Sequence, residues 1–329
     1  MSKTLHRKIT PRARLGARLR RAREALGLSQ ADVCRRAGVA ANAYNQWEKG
    51  RRLINVFDAI KLADALGLSL DHIYRGDDTE VPPSEPRPAD DGWSENTSTH
   101  FVDYGDYFVP GREAQTAILC RLVADLDAGG PVVDLCCGEG LLSAALLDRL
   151  PGATVHAHDG SPTMLAKTRE RLAAFAGRFE TRLFDLAATD WRRFPEPVRA
   201  FVSSLAIHHL DGAAKAALYA DLARALAPGG MIAIADLIAP ATATGRAIAA
   251  EAWDAEVRRR ALERDGDLAA FTVFRDDRWN YYADPEPDPI DQPSPLIDQL
   301  RWLEDAGLVD VEVHWLLAGH AVFSARKPT

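Results

Sequence analysis

The stretch VVDLCCGEG at residues 132–140 carries an acid, Asp134, inside an apolar run that breaks at Gly138 and Gly140 and reopens as the helical LLSAALLDRL. Strand, glycine turn and helix together bring backbone N–H groups and a helix N-terminus to a nucleotide-like ligand. The neighbouring residues decide which nucleotide. A triphosphate loop ends in Gly-Lys-Ser/Thr, and GEGLLS at 138–143 has no lysine. A dinucleotide fingerprint needs a third glycine where the helix packs, and Ser143 stands there. Asp159 ends the next strand, ATVHAHD, about 20 residues past the turn, where a carboxylate can accept both ribose hydroxyls. Asp185 ends FETRLFDL, in reach of an adenine amino group, with Met164, Phe184 and Leu186 as apolar walls. These residues fit an adenosine. Farther on, SSLAIHHL places His208 and His209 side by side after a fourth strand. Imidazoles titrate near neutrality, so either could serve as a general base, or both could simply form the turn.

A second kind of chemistry stands near the N-terminus, in LSQADVCRRAGVAANAYNQWEKG. Ser29 caps a short helix through Cys34 and Ala37, and Gly38 turns the chain into another helix that begins near Ala40. Before them Leu15, Leu19, Ala22 and Leu26 recur at helical spacing beside Arg18, Arg20, Arg21 and Arg23. After them Leu62, Leu66, Leu70 and Ile73 close a small core.

The elements that must position these residues divide the chain. Through Asp77 there are 16 Lys+Arg against 7 Asp+Glu, a balance of +9, whereas the remainder carries 24 against 40, or −16. A basic module suits a polyanion and an acidic one repels it. The boundary is DDTEVPPSEPRPADDGWSENTS, whose prolines and acids exclude both helical and strand periodicity, so residues 78–98 are expected to be a linker between domains at 1–77 and 99–329. In the second domain apolar strands alternate with helices, which implies right-handed crossovers and a doubly wound parallel sheet. VDVEVHWLL and GHAVFSARK, joined at a glycine turn, read as an antiparallel pair at its edge, after a helix capped by Ser294. The fold class is thus α/β, with an all-α N-terminal domain. No stretch approaches about 18 uninterrupted apolar residues, so a cytoplasmic protein without membrane contact is expected. Cys34, Cys120, Cys136 and Cys137 form no repeated CxxC pair and no metal-ligand spacing, and no metal is expected.

Residues 12–76 resemble the Cro- and lambda-repressor-like (xenobiotic-response-element) helix-turn-helix family, through LSQADV, AGV, WEKGRR and LADALGLSLDHI in order and spacing. That resemblance implies a third helix in the major groove of double-stranded DNA. Gln30, Ala41, Asn42 and Asn45 would face the duplex, and Lys49, Arg51 and Arg52 its phosphates. Tyr44 and Trp47 are expected in the core. Residues 99–329 resemble the class I S-adenosylmethionine-dependent methyltransferases, through the glycine turn, the strand-end acids, LAPGG at 226–230 and the terminal hairpin. The resemblance implies a Rossmann-like sheet of seven strands and S-adenosylmethionine as cofactor. It places Asp134 near the methionine end, and Cys136, Gly138, Gly140, Gly160 and Leu205 around the cofactor with the residues named above; HFVDYGDYFVPGR at 100–112 is expected to fold over it, with Tyr104 or Tyr107 near it. His208 and His209 would stand beside the transferable methyl. Members usually have glycine where Cys136 stands, so the turn is expected to begin later.

Residues 241–290, where this family elaborates a substrate lid, hold Trp253, Phe271, Phe274, Trp279, Tyr281 and Tyr282. These either grip an apolar or ring-bearing acceptor or pack on the sheet. SSLA occupies the place of the Asn/Asp-Pro-Pro-aromatic signature of amino-methylating DNA enzymes, and no Pro-Cys occurs, so a small-molecule acceptor is favoured. The reading is a small-molecule methyltransferase joined to a DNA-binding module, acting as a homodimer on a pseudo-palindromic site. Its alternative is a transcription regulator that binds S-adenosylmethionine as a signal without turnover.

Overall fold

The computed structural model describes residues 11–49, 51–52, 54, 56–68, 73, 104–284, 287 and 289–329. The expected linker at 78–98 and the core position Leu70 lie outside them. The chain separates into two compact units, 1–89 and 90–329.

In the first unit, α1 (Pro11–Ala25), α2 (Gln30–Ala37), α3 (Ala41–Glu48) and α4 (Val56–Leu66) surround one core. Ser29 and Asp32 form a reciprocal capping box at the start of α2, and Gly38, at φ 62°, takes the left-handed conformation that lets α2 end and α3 begin. Gly16 permits close contact between α1 and α3: a Cβ there would sit 2.5 Å from the Glu48 carbonyl oxygen. Leu19, Val33, Tyr44, Trp47 and Leu62 fill the centre.

In the second unit, α5 (Arg112–Ala124) leads into β1 (Val132–Leu135), α6 (Leu141–Arg149), β2 (Val155–Asp159), α7 (Pro162–Arg171), β3 (Phe179–Leu183), β4 (Val198–Ser204), α8 (Gly212–Ala225) and β5 (Leu226–Leu237). After β5 come α9 (Ala243–Asp265), α10 (Ala269–Asp276), α11 (Leu296–Asp305), β6 (Val309–Leu317) and β7 (His320–Arg326). The seven strands lie in the order β3-β2-β1-β4-β5-β7-β6. The first five are parallel, and β7 runs antiparallel to both β5 and β6. This is the expected class I methyltransferase architecture, Rossmann-like with an antiparallel edge. The order reverses between β1 and β4, and in such sheets ligands bind outside the carboxyl ends of the strands at that switch point.

Two apolar clusters cover the faces of the sheet. A third stands apart from them, where Trp253, Val257, Phe271, Phe274 and Tyr282 pack with Phe108. The aromatics of 241–290 therefore take the packing alternative and form a small core of their own, tied down by the Trp253 indole, which donates to the Phe108 carbonyl at 2.7 Å. Among the described residues no helix is long and apolar enough to cross a membrane.

Two boundaries differ from expectation. β3 ends at Leu183, two residues before Asp185, because the chain leaves the sheet and Asp185 accepts from the Ala187 N–H at 2.9 Å to form a local turn. Ser294 does not cap α11, whose N-cap position is Pro295. The Ser294 hydroxyl instead accepts from the buried Lys215 ammonium at 2.9 Å, an interaction between residues 79 apart in sequence.

Candidate active site

A cavity of about 440 Å³ opens at the carboxyl ends of β1, β2 and β4, within the range of about 300–1,000 Å³ usual for small-ligand sites. The sheet sets its floor. Parallel register aligns β1 with β2 and with β4, so Leu135, Asp159 and Ser204 reach the same rim.

Each side chain on the cofactor side is held by its neighbours. Asp159 ends β2; one carboxylate oxygen accepts from the Gly138 N–H and the other from the Ser161 N–H, both at 2.8 Å. Ser161 also caps α7 by accepting from the Met164 N–H at 3.1 Å, which turns Met164 toward the cavity. The glycine loop is braced from α7: the Thr168 hydroxyl donates to the Gly138 carbonyl at 2.7 Å, and Arg171 pairs with the Glu139 carboxylate at 2.7 Å. Asp134, 1% exposed, accepts from the Ser143 hydroxyl at 2.6 Å. Burial pushes its carboxyl up to about 7, opposed by the Ser143 bond and reinforced by the charge of Asp159. Ser143, which replaces the third glycine of a dinucleotide loop, thus orients the acid of β1.

Cys136 has φ 58°, so the turn begins there and not later. The backbone keeps a glycine-like conformation with a side chain on it, a strain of about 1–2 kcal/mol. Leu205, just past β4, has φ 57°, and both strained residues line the cavity. Strained backbone at two strand ends facing one cavity is characteristic of functional sites.

Of the residues expected around the cofactor, Asp134, Cys136, Gly138, Asp159 and Gly160 line the cavity. So do Met164, Phe184, Asp185, Leu186 and Leu205. Gly140 and Tyr104 do not. Gly140, at φ 80°, opens α6, and a Cβ there would come within 3.0 Å of the Thr168 methyl, so it serves helix packing. Tyr104 stacks on Phe108 at 5.5 Å, drawn into the aromatic cluster.

On the other side of the cavity the two histidines separate. His209 lines it and His208 does not. The His208 Nδ1 lies 2.5 Å from Asp236, whose second oxygen accepts from the His208 backbone N–H at 2.7 Å. His208 Nε2 faces Asp291 at 3.4 Å, and His209 Nδ1 faces the same oxygen at 3.3 Å. Burial alone would lower the pKa of His208, but Asp236 and Asp291 outweigh it and raise the imidazole to about 10. Burial likewise disfavours ionisation of Asp291, yet the two imidazoles hold its carboxyl well below the usual range. His208 is therefore an ion-paired group and not a base poised near neutrality. Asp236 and Asp291 were not singled out in the sequence.

In the first unit Ala41, Asn42, Lys49, Arg51 and Arg52 are exposed and Asn45 is half-buried. Gln30 is placed otherwise. Its amide donates to the buried Glu48, which also pairs with Arg23 at 2.8 Å, so this network ties α1 and the start of α2 to the end of α3. Tyr44 and Trp47 are buried, as core residues.

A helix-turn-helix family model matches residues 19–73, and a methyltransferase domain model matches residues 132–230. Trans-aconitate 2-methyltransferase from Streptomyces coelicolor is 34% identical over 122 residues, 36% of this chain and 38% of that one. The enzyme of the same name from Methylobacterium nodulans is 38% identical over 125 residues, 35% of this chain and 43% of that one. The chain thus spans about two fifths of the length of these curated relatives. Among solved structures, an O-methyltransferase family protein from Burkholderia thailandensis aligns with TM-score 0.48 and 16% identity over 71% of this chain and 60% of its own. The chain carries a helix-turn-helix segment followed by a methyltransferase domain.

Proposed function

We propose that the chain is an S-adenosylmethionine-dependent methyltransferase acting on a small molecule, joined to a sequence-specific DNA-binding module. The observation that carries the enzymatic reading is the convergence of Asp134 and Asp159 on one cavity at the switch point, with Met164 and Phe184 as its apolar wall. The three carboxylates fit the cofactor as acceptors: Asp159 for the ribose hydroxyls, Asp185 at the adenine edge, Asp134 for the cationic methionine end. Bound there, S-adenosylmethionine supplies a methyl group activated by its sulfonium. Met164, Phe184 and Leu186 exclude water from the adenine, and the braced loop at 137–140 arrives preformed, so little ordering is required on binding.

His209, on the cavity wall, is the residue placed to meet an acceptor that must lose a proton. His208 acts through it, holding the turn after β4 by its bonds to Asp236. Alignment of acceptor, methyl and sulfur supplies much of the rate in such a displacement, and a base is needed only for a protonated nucleophile. The similarity to trans-aconitate 2-methyltransferases supports a small-molecule acceptor, as does the acidity of this domain. In the basic unit, Asn42 on the exposed start of α3 is proposed to read base edges while Lys49, Arg51 and Arg52 meet phosphates. Two copies on a pseudo-palindromic site would present two such helices about 34 Å apart.

Incubating the full chain with donor labelled in its methyl group and a fractionated cell metabolite pool tests the reading. Label should move into a small-molecule fraction, with one demethylated donor formed per methyl transferred. Donor that binds yet retains all of its label would favour the signal-binding regulator instead.

A further inference from the structure

The turn after β4 and the segment that follows the aromatic cluster meet at three donor atoms. His208, His209 and Asp291 each offer one, all within 4.8 Å of one another. The two imidazole–carboxylate separations are 3.4 and 3.3 Å. Ligands at roughly 2.0–2.1 Å from an ion, spread at tetrahedral angles, stand about 3.3–3.4 Å apart. We propose that His208, His209 and Asp291 bind a divalent transition-metal ion of the zinc or cobalt kind in the acceptor-side wall of the cavity.

Three further features belong to such a site. A metal-binding imidazole characteristically gives its other nitrogen to a carboxylate, which fixes the tautomer and aims the ring. Asp236 does this for His208: it takes Nδ1 at 2.5 Å, holds the backbone N–H of the same residue at 2.7 Å, and so directs Nε2 at Asp291. Charge is the second feature. Asp236 and Asp291 bring two carboxylates to this pocket, and a dication that displaces the His208 proton leaves both imidazoles neutral and balances both acids. The third is the ligand count. Three protein ligands leave a coordination position open, as in catalytic sites, whereas structural sites are closed by four. His209 and Ile290 both line the cavity, so the site borders the space an acceptor would occupy. Two imidazoles with one carboxylate favour zinc, cobalt or nickel over magnesium and calcium, which prefer all-oxygen sites.

The consequence for chemistry rests on the methyl-transfer reading above. An acceptor with a hydroxyl or carboxylate oxygen would coordinate the open position and be held in line with the methyl. One lone pair on that oxygen then forms the new C–O bond as the methyl–sulfur bond breaks, and the bonding electrons leave on the neutral sulfide. With the ion bound, His209 is a ligand in place of a base, and the proton of a hydroxyl acceptor, acidified by the metal, passes to solvent. The ion also joins the turn after β4 to a segment about 80 residues later, where His209 Nδ1 already contacts the Ile290 carbonyl.

The test uses the full chain, free of affinity tag and stripped with a chelator. Zn2+ is titrated by calorimetry and Co2+ by its visible ligand-field absorption. One ion should bind per chain, and His209→Ala and Asp291→Asn should each weaken it at least about 100-fold while far-UV circular dichroism and the thermal transition persist. His209→Gln serves if the alanine variant does not fold. Asp236→Asn should cost about 10–100-fold through the ring it orients. Mg2+ should not displace Co2+. Saturable binding that survives in both ligand variants, or absence of one-to-one binding, would overturn the site and leave an ion-paired clamp. Binding is read without turnover, so a chain that takes up Zn2+ but transfers no methyl would overturn the methyl-transfer reading alone. Methyl transfer undiminished in the stripped chain would overturn the acceptor role.

Discussion

The two sides of the cavity use acids in opposite ways. On the β1–β2 side, Asp134 and Asp159 are oriented by neutral donors: a serine hydroxyl and two backbone N–H groups. Neutral donors aim a carboxylate without cancelling its charge, so that side is suited to hydroxyls and a cationic ligand. On the side beyond β4, Asp236 and Asp291 are oriented by imidazoles, and their charge is spent within the protein. Lys215 nearby is bound by the neutral Leu210 and Gln292 carbonyls, and burial lowers it to about 8. One side is thus built to receive a ligand's polar groups directly, while the other is cross-linked to itself and offers His209 at its edge.

Breaking the cross-linked side should have the largest effect. Asp236→Ala leaves the buried His208 imidazole without its carboxylate, and a loss of about 3–5 kcal/mol of stability is expected, read by denaturant unfolding. A loss under about 1 kcal/mol would mean that the pair carries no structural load. His209→Asn should leave donor affinity within a few-fold and lower turnover roughly 100-fold. Equal losses in affinity and turnover would erase the distinction between the sides.

The receiving side is sharpened by pH. In the free chain Asp134 is protonated below about 7, and a cationic methionine end favours its ionised form. Donor affinity should therefore rise with pH, by up to about tenfold per unit between roughly pH 5 and 7, and level off above. The stability of the free chain runs the other way: a carboxyl whose pKa is raised by folding favours the fold at low pH, and that contribution is lost as pH climbs through about 7. In Asp134→Asn the affinity profile should be flat, and an unchanged slope would assign the titration elsewhere. Cys136→Gly should have the smallest effect. Relief of the left-handed strain is opposed by the added freedom of glycine in the unfolded chain, for a net change of less than about 1 kcal/mol with donor affinity kept.

The same contrast explains what could be read in advance. The receiving side is local in sequence: Asp134 lies inside one apolar strand, Asp159 ends the next, and Ser161, Met164 and the glycines follow close behind, so periodicity places all of them. Asp236 carries the same signature, an acid in the apolar run MIAIADLI, and was within reach of that reasoning. Asp291 was not. It lies in DPEPDPIDQPSP, where no period assigns a structure, and its partners are reached only when the turn after β4 and this segment fold together. Tyr104 stacks on Phe108, four residues on, and the spacing within HFVDYGDYFVPGR does not by itself separate that packing from a place beside the cofactor. That the buried Glu48 takes the Gln30 amide is not legible either, because family position does not reveal side-chain partners.

On this reading the β1–β2 side receives S-adenosylmethionine through Asp159. Calorimetric titration of the full chain with the demethylated product, S-adenosylhomocysteine, measures this without turnover. One molecule should bind per chain at about micromolar affinity, weakened in Asp159→Ala by about 1.5–3 kcal/mol as charge-assisted bonds to the ribose are lost. Absence of binding, or the same affinity in a folded Asp159→Ala chain, would contradict it.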